Sequence, residues 1–168
     1  LKQCVLEGVA VVNNPFMWTA DDKFFGAALI TKLGVASPKT VALPNKDYIK
    51  GIVRDESLRN LQLVDWDGLI REIGLPCILK DAHGGGWRDV YVCHTKEELL
   101  RNYDDSGLLN MIMQEFTKFE QFVRCMCLGQ DEILIMQYDP KQRCYIVDQD
   151  YLTPALKDRV TRDCRTIV

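Results

Sequence analysis

Apolar positions recur with two periods along the chain. Trp66, Leu69, Ile70 and Ile73 fall on one side of a 3.6-residue repeat, behind Asp65 as cap and ahead of Gly74 as stop, which predicts a helix. Phe25, Ala28, Leu29 and Leu33 do the same for a helix that begins near Asp21 or Asp22 and stops at Gly34. Thr95 with Glu98 makes a capping box for a short helix through Arg101, and Thr153 with Pro154 opens a last one that runs on to Val168. Shorter apolar runs read as strands: Val9 to Asn13, Thr40 to Leu43, Cys77 to Lys80, Asp89 to Cys93, Met111 to Phe116, Gln121 to Leu128, Ile133 to Tyr138 and Cys144 to Val147. The runs at 77 and 89 flank D-A-H-G-G-G-W-R, a hairpin with a glycine tip. The last three, joined by turns at Gly129-Gln130 and Pro140-Lys141, form a meander. Residues 45–63 are polar and weakly patterned and predict no element.

Composition narrows the class. The 168 residues suffice for one domain or two small lobes, and 47% hydrophobic with 27% charged residues excludes a disordered or low-complexity chain. The 21 basic and 24 acidic residues give a net charge of -3, which offers no general attraction to nucleic acid or an anionic membrane. No apolar run approaches the roughly 18 to 20 residues of a membrane helix, and LKQCVLEGVAVV has no signal-peptide pattern, so a cytoplasmic protein is expected. Leu1 stands where a start methionine would, and the chain reads as a piece of a longer protein. Cys4, Cys77, Cys93, Cys125, Cys127, Cys144 and Cys164 contain no C-x-x-C pair, which points to free, buried thiols. Cys125 and Cys127 should share one strand face. Met111, Met113, Met126 and Met136 are expected as core filling, and Arg88 and Arg143 as turn residues.

The glycine loop carries the first chemistry. Lys80 ends a strand, and Gly84, Gly85 and Gly86 follow directly after the short D-A-H link. Glycines let a backbone approach a phosphate closely, and a lysine aimed there adds a compact positive charge. This is no Walker loop, because the lysine precedes the glycines and the next segment is a strand; the kinase pattern G-x-G-x-x-G is absent as well. The string His83 to Trp87, H-G-G-G-W, matches the oxyanion-hole segment of some esterases. Ser37, Ser57 and Ser106 are the only serines, none lies in G-x-S-x-G, and no triad can be assembled.

Four strings stand in order: Asp22-Lys23 opening a helix that ends in L-G-V-A-S-P-K-T, then G-L-P-C-I-L-K-D-A-H-G-G-G-W, then M-Q-E-F, then V-R-C-M-C-L-G. In order and spacing they resemble the ATP-grasp superfamily, in particular its glutathione-synthetase-like and ribosomal-protein-glutamylating carboxylate–amine ligases, over about residues 9 to 148. The resemblance implies an α+β fold of two small lobes with antiparallel sheets and flanking helices, and an adenine-nucleotide cleft between them. Residues 1–20 would end an N-terminal α/β lobe, 21–115 form the small lobe, and 116–168 start the large one. It implies further that Lys23 and Lys80 contact ATP phosphates and that Gly84, Gly85 and Gly86 cover them. Glu115 would accept from the adenine amino group, with the Phe116 backbone meeting the ring nitrogen. Glu120 is the nearest carboxylate for the ribose; the family often has an acidic residue directly before the strand, where this chain has Phe122. Arg124, on an otherwise apolar strand, matches the arginine near the phosphate or acyl-phosphate end, and a half-buried guanidinium there calls for an anion.

Enzymes of this type move the ATP γ-phosphoryl to a carboxylate and let an amine attack the acyl-phosphate, with ATP and Mg²⁺ as cofactors and small-molecule or peptide carboxylates and amines as partners. In the family the metal ligands come from strands that would follow Val168; no such E…N pattern precedes it, and Asp148 and Asp150 are not taken as ligands. A non-catalytic nucleotide-binding or interaction module of the same fold is the alternative. Acceptor, amine and oligomeric state are not set by these residues.

Overall fold

Asp65 accepts a hydrogen bond from the Gly68 amide at 2.8 Å and starts a helix whose apolar stripe lies on a sheet. The computed structural model describes residues 1–16, 22–48, 51, 64–129, 131–146 and 151–168. Five helices and seven strands are found there: α1 Lys2–Leu6, α2 Lys23–Lys32, β1 Thr40–Ala42, α3 Trp66–Ile73, β2 Cys77–Asp81, β3 Val90–Cys93, α4 Lys96–Asp104, β4 Met111–Glu115, β5 Val123–Leu128, β6 Glu132–Asp139, β7 Cys144–Ile146 and α5 Pro154–Ile167. They divide into two units, one of Leu1–Leu29 with Ser37–Phe116 and one of Ile30–Ala36 with Thr117–Val168. Both sheets are antiparallel and helices accompany them, an α+β fold.

In the first unit the sheet order is β1-β4-β2-β3. Cys77 pairs with Cys93 and Glu115, and Leu79 with Tyr91 and Met113, so these side chains share one face. That face is dry: Cys77, Leu79, Cys93, Met111 and Met113 are buried together with Ile73, Leu99 and Tyr103 from the helices. Full burial of a side chain such as Leu79 stabilises by about 1.5–3 kcal/mol. Trp66 meets Tyr103 edge-on at 4.9 Å, and the Tyr103 hydroxyl donates to the Pro44 carbonyl at 2.8 Å. The Thr95 hydroxyl caps α4, which runs three residues beyond the expected Arg101 because Leu99 and Tyr103 on one side of it are both buried.

The second unit holds the meander β5-β6-β7. Arg124, Met126 and Leu128 share one face of β5 with their partners Met136, Leu134 and Glu132, while Cys125 and Cys127 point to the other. The Asp139 carboxylate accepts from the amides of Lys141 and Gln142 and so closes the turn between β6 and β7. Phe119, Phe122, Tyr138 and Tyr145 follow one another at ring separations of 5.3, 5.9 and 5.2 Å. Thr153 caps α5 through the Leu156 amide.

Some expectations need correction. Val9 to Asn13 is not a strand, and Val9 and Val12 are exposed; the short helix α1, which precedes this segment, was not foreseen. On α2 the buried residue is Ala27, whereas Phe25, Ala28 and Leu33 of the expected stripe are exposed. Residues 24–30 are almost continuously apolar, so no polar face marks which side turns inward. The stop itself is as expected: Gly34, at φ +76°, donates to Thr31 and Val35 donates to Ile30, the closing bonds of a Schellman turn. Met126 is exposed rather than core, since it lies on the Arg124 face. Cys4 and Cys144 are exposed, although all seven thiols are free. Asp21, Gln130, Val147, Asp148 and Asp150 lie outside the described residues. Among those described, no helix is long and apolar enough to cross a membrane.

Leu79→Ala is expected to cost about 2–5 kcal/mol in urea unfolding. Val92→Ala, on the opposite face of the same hairpin and 44% exposed, is expected to cost less than about 1 kcal/mol.

Candidate functional site

The face of the first sheet opposite the core carries a polar row. Lys80 pairs with Val90 and Ile112, Gln114 with Ile78 and Thr40, so all six side chains lie on that face. The Lys80 ammonium is partly buried and donates to Gln114 Oε1 at 2.8 Å. Burial, and then the nearby Lys23 charge, push the Lys80 pKa below the ordinary lysine value.

Lys23 comes to the same hairpin from the start of α2. Asp22 caps that helix by accepting from the Phe25 amide at 2.9 Å, and the Lys23 amide donates to the Ala82 carbonyl at 3.0 Å. Its side chain then donates to the carbonyls of Asp81 (3.0 Å), Ala82 (3.3 Å) and Gly84. An ammonium has three N–H groups, and three backbone oxygens of the glycine loop receive them. The structure therefore brings Lys23, Lys80 and the loop start to one place.

The loop is shaped by its own short contacts. Asp81 Oδ1 accepts from the His83 amide at 3.1 Å, and a Cβ on Gly84 would stand 2.9 Å from Asp81 Oδ2, so a larger residue there would push that carboxylate aside. The Gly85 carbonyl accepts from the Arg88 amide at 3.3 Å. Gly86 turns at φ +66°, and Trp87 and Asp89 follow at φ +63° and +53°, where residues with a Cβ are strained by roughly 1–2 kcal/mol each.

The remaining predicted residues belong to other elements. Glu115 ends β4 in the register of Cys77, on the face opposite Lys80. Its amide donates to the Lys39 carbonyl and its carboxylate accepts from the Lys39 amide at 3.2 Å. Phe116 is next along the chain and exposed. Glu120 and Arg124 belong to the second unit, and both are exposed. The half-buried guanidinium expected at Arg124 is thus corrected: it stacks over Tyr138 with 3.8 Å from Cζ to the ring centre, and its hydrogen bond with Tyr145 raises its pKa. Two aromatic rings meet this cation. Gln114 and Thr40 were not singled out from sequence. The alternation that puts them beside Lys80 becomes readable only once the strand order is known.

No protein-family model matches the chain. A stretch of 69 residues, 36% of this chain and 15% of the relative, is 45% identical to a 2-oxoglutarate carboxylase small subunit from Hydrogenobacter thermophilus. Among solved structures, N5-carboxyaminoimidazole ribonucleotide synthetase from Thermotoga maritima matches all of the chain at TM-score 0.64 and 17% identity, over 39% of its own length. A D-alanine–D-alanine ligase from Bacillus anthracis complexed with ATP matches 88% of the chain at TM-score 0.56 and 17% identity, over 43% of its length. The fold is that of the ATP-grasp ligases. The chain spans less than half the length of either solved relative.

The Lys23 contacts make a prediction about the glycine-tipped hairpin. Replacing Lys23 by Met removes three bonds to loop carbonyls and is expected to speed amide hydrogen exchange across residues 81–86 by about tenfold or more, read by mass spectrometry.

Proposed function

We propose that the protein is the nucleotide-binding part of an ATP-dependent ligase that activates a carboxylate and joins it to an amine. The observation that carries this reading is the meeting of two lysine side chains with the glycine-tipped hairpin of an ATP-grasp fold. In this reading Lys23 and Lys80 bind the phosphates, and Gly84, Gly85 and Gly86 close over them and exclude water. Lys23 must exchange at least one carbonyl for a phosphate oxygen, which couples nucleotide arrival to release of the loop. Glu115 accepts from the adenine amino group, the Phe116 backbone meets the ring, Glu120 takes the ribose, and Arg124 serves the acyl-phosphate end.

The chemistry balances without further reactants. A carboxylate oxygen attacks the γ-phosphorus, the bond to the bridging oxygen breaks, and ADP leaves with that electron pair. The amine nitrogen then attacks the acyl carbon, phosphate departs, and the nitrogen loses a proton to give an amide. Mg²⁺ belongs to the proposal as the ion carried with ATP. Among the described residues no three His, Cys, Asp or Glu side chains gather to hold a metal. The glutathione-synthetase-like branch, the lobes at 21–115 and 116–168 after an N-terminal one, and a cytoplasmic location are parts of the same proposal.

Isothermal titration of the full-length protein with ATP tests it. Lys80→Ala is expected to weaken binding by about tenfold or more, the scale of one charge-assisted contact. Unchanged affinity would overturn the reading.

A further inference from the structure

A chain of hydrogen bonds runs from Lys80 across the polar face, and every donor in it has one matching acceptor. Lys80 Nζ donates to Gln114 Oε1 at 2.8 Å, Gln114 Nε2 donates to Thr40 Oγ1 at 2.8 Å, and the Thr40 hydroxyl donates to the Pro38 carbonyl at 2.9 Å. The direction is forced by chemistry. An ammonium can only donate, so the amide atom facing it must be the oxygen. The amide nitrogen then faces Thr40, whose oxygen must accept, and the hydroxyl proton is left for Pro38. Turning the amide around would set an NH₂ group against a cation.

Backbone register supports the arrangement. Gln114 lies opposite Ile78 on β2 and opposite Thr40 on β1, and Lys80 is two residues beyond Ile78, so Gln114 bridges to a diagonal neighbour on one strand and a direct neighbour on the other. All three side chains are partly buried, where an unmatched polar group is costly.

The choice of an amide has a consequence that a carboxylate would not. Glutamate here would hold the ammonium equally well but cancel its charge, whereas glutamine holds it and leaves the charge for a third group. We propose that Gln114, oriented by Thr40, is a positioning residue that fixes the Lys80 ammonium on this face while leaving it unneutralised for an anionic ligand. The identity of that ligand as a nucleotide polyphosphate rests on the function proposed above; the positioning itself does not. Lys23 is the neighbouring charge whose field reaches Lys80, and it has the same sign. The pair therefore favours any arrangement that brings an anion.

Two measurements on the full-length protein separate these statements. Side-chain ¹³C–¹⁵N NMR, with the Lys80 signal assigned from its absence in Lys80→Arg, follows the titration of the amine. Gln114→Glu is expected to move the midpoint up by about one pH unit or more, because an opposite charge now favours the protonated form, and Gln114→Met to move it down. Thr40→Val should shift the midpoint as well, and Thr40→Ser, which keeps the hydroxyl, should restore it. A Lys80 midpoint unmoved by both Gln114→Glu and Thr40→Val overturns the proposal. In the second measurement ADP binding is expected to weaken by about tenfold or more in Gln114→Glu, even though the tether to Lys80 is retained. A Gln114→Glu protein that binds ADP as wild type, while Lys80→Ala does not, overturns the charge-keeping role. If Lys80→Ala also binds ADP as wild type, it is the ligase reading that fails, and the NMR result still decides whether Gln114 positions the amine.

Discussion

Strand β2 obliges one short segment to serve two environments. Its side chains alternate, so Cys77 and Leu79 enter the dry core while Ile78 and Lys80 face the other way. Core and polar row are therefore set by a single register. A slip of one residue between β2 and β4 would send Lys80 into the layer of Met111, Met113 and Leu99, where an ammonium without a partner costs more than the sheet pairing returns. The hydrophobic face thus does more than stabilise the unit. It fixes which way the lysine points, and through Gln114 and Thr40 it fixes what the lysine meets.

Where a segment carries both a pattern and punctuation, the sequence was readable. Asp65 and Gly74 bracket four apolar positions at helical spacing, and α3 follows them to the residue. The hairpin of β2 and β3 and the meander of β5 to β7 were legible because each strand is a short, largely apolar run closed by turn residues. Legibility failed where one signal was missing. Residues 24–30 are apolar nearly throughout, so helical spacing could be drawn on the wrong side of α2. Val9 to Asn13 has the composition of a strand, but a strand exists only by pairing, and composition does not report a partner.

The candidate site divides in the same way. Lys23, Lys80 and the glycines were visible because the strings that carry them stand in an order and spacing that resemble a known family. Gln114 was hidden in an ordinary strand string, since its role comes from lying diagonal to Lys80 across two strands joined by an intervening hairpin and helix. Arg124 was recognised as unusual, yet its environment was misjudged: Tyr138 and Tyr145 reach it from β6 and β7, and no local pattern around position 124 announces them. Contacts within an element can be read along the chain; contacts made by topology cannot.

The two lysines of the hairpin differ from three others on the surface. Lys39, Lys46 and Lys96 each meet a carboxylate, from Glu72, Asp104 and Asp67 respectively, and for Lys39 and Lys46 that partner raises the pKa. Such exposed pairs neutralise one another and add little stability. Lys23 and Lys80 are held instead by three backbone carbonyls and a side-chain amide, all neutral, and Lys80 titrates below the ordinary value. Neutral oxygens orient an ammonium without discharging it. Two oriented positive charges that repel each other beside a glycine loop form an arrangement whose electrostatic energy falls when an anion enters, and that gain is what a polyphosphate site requires.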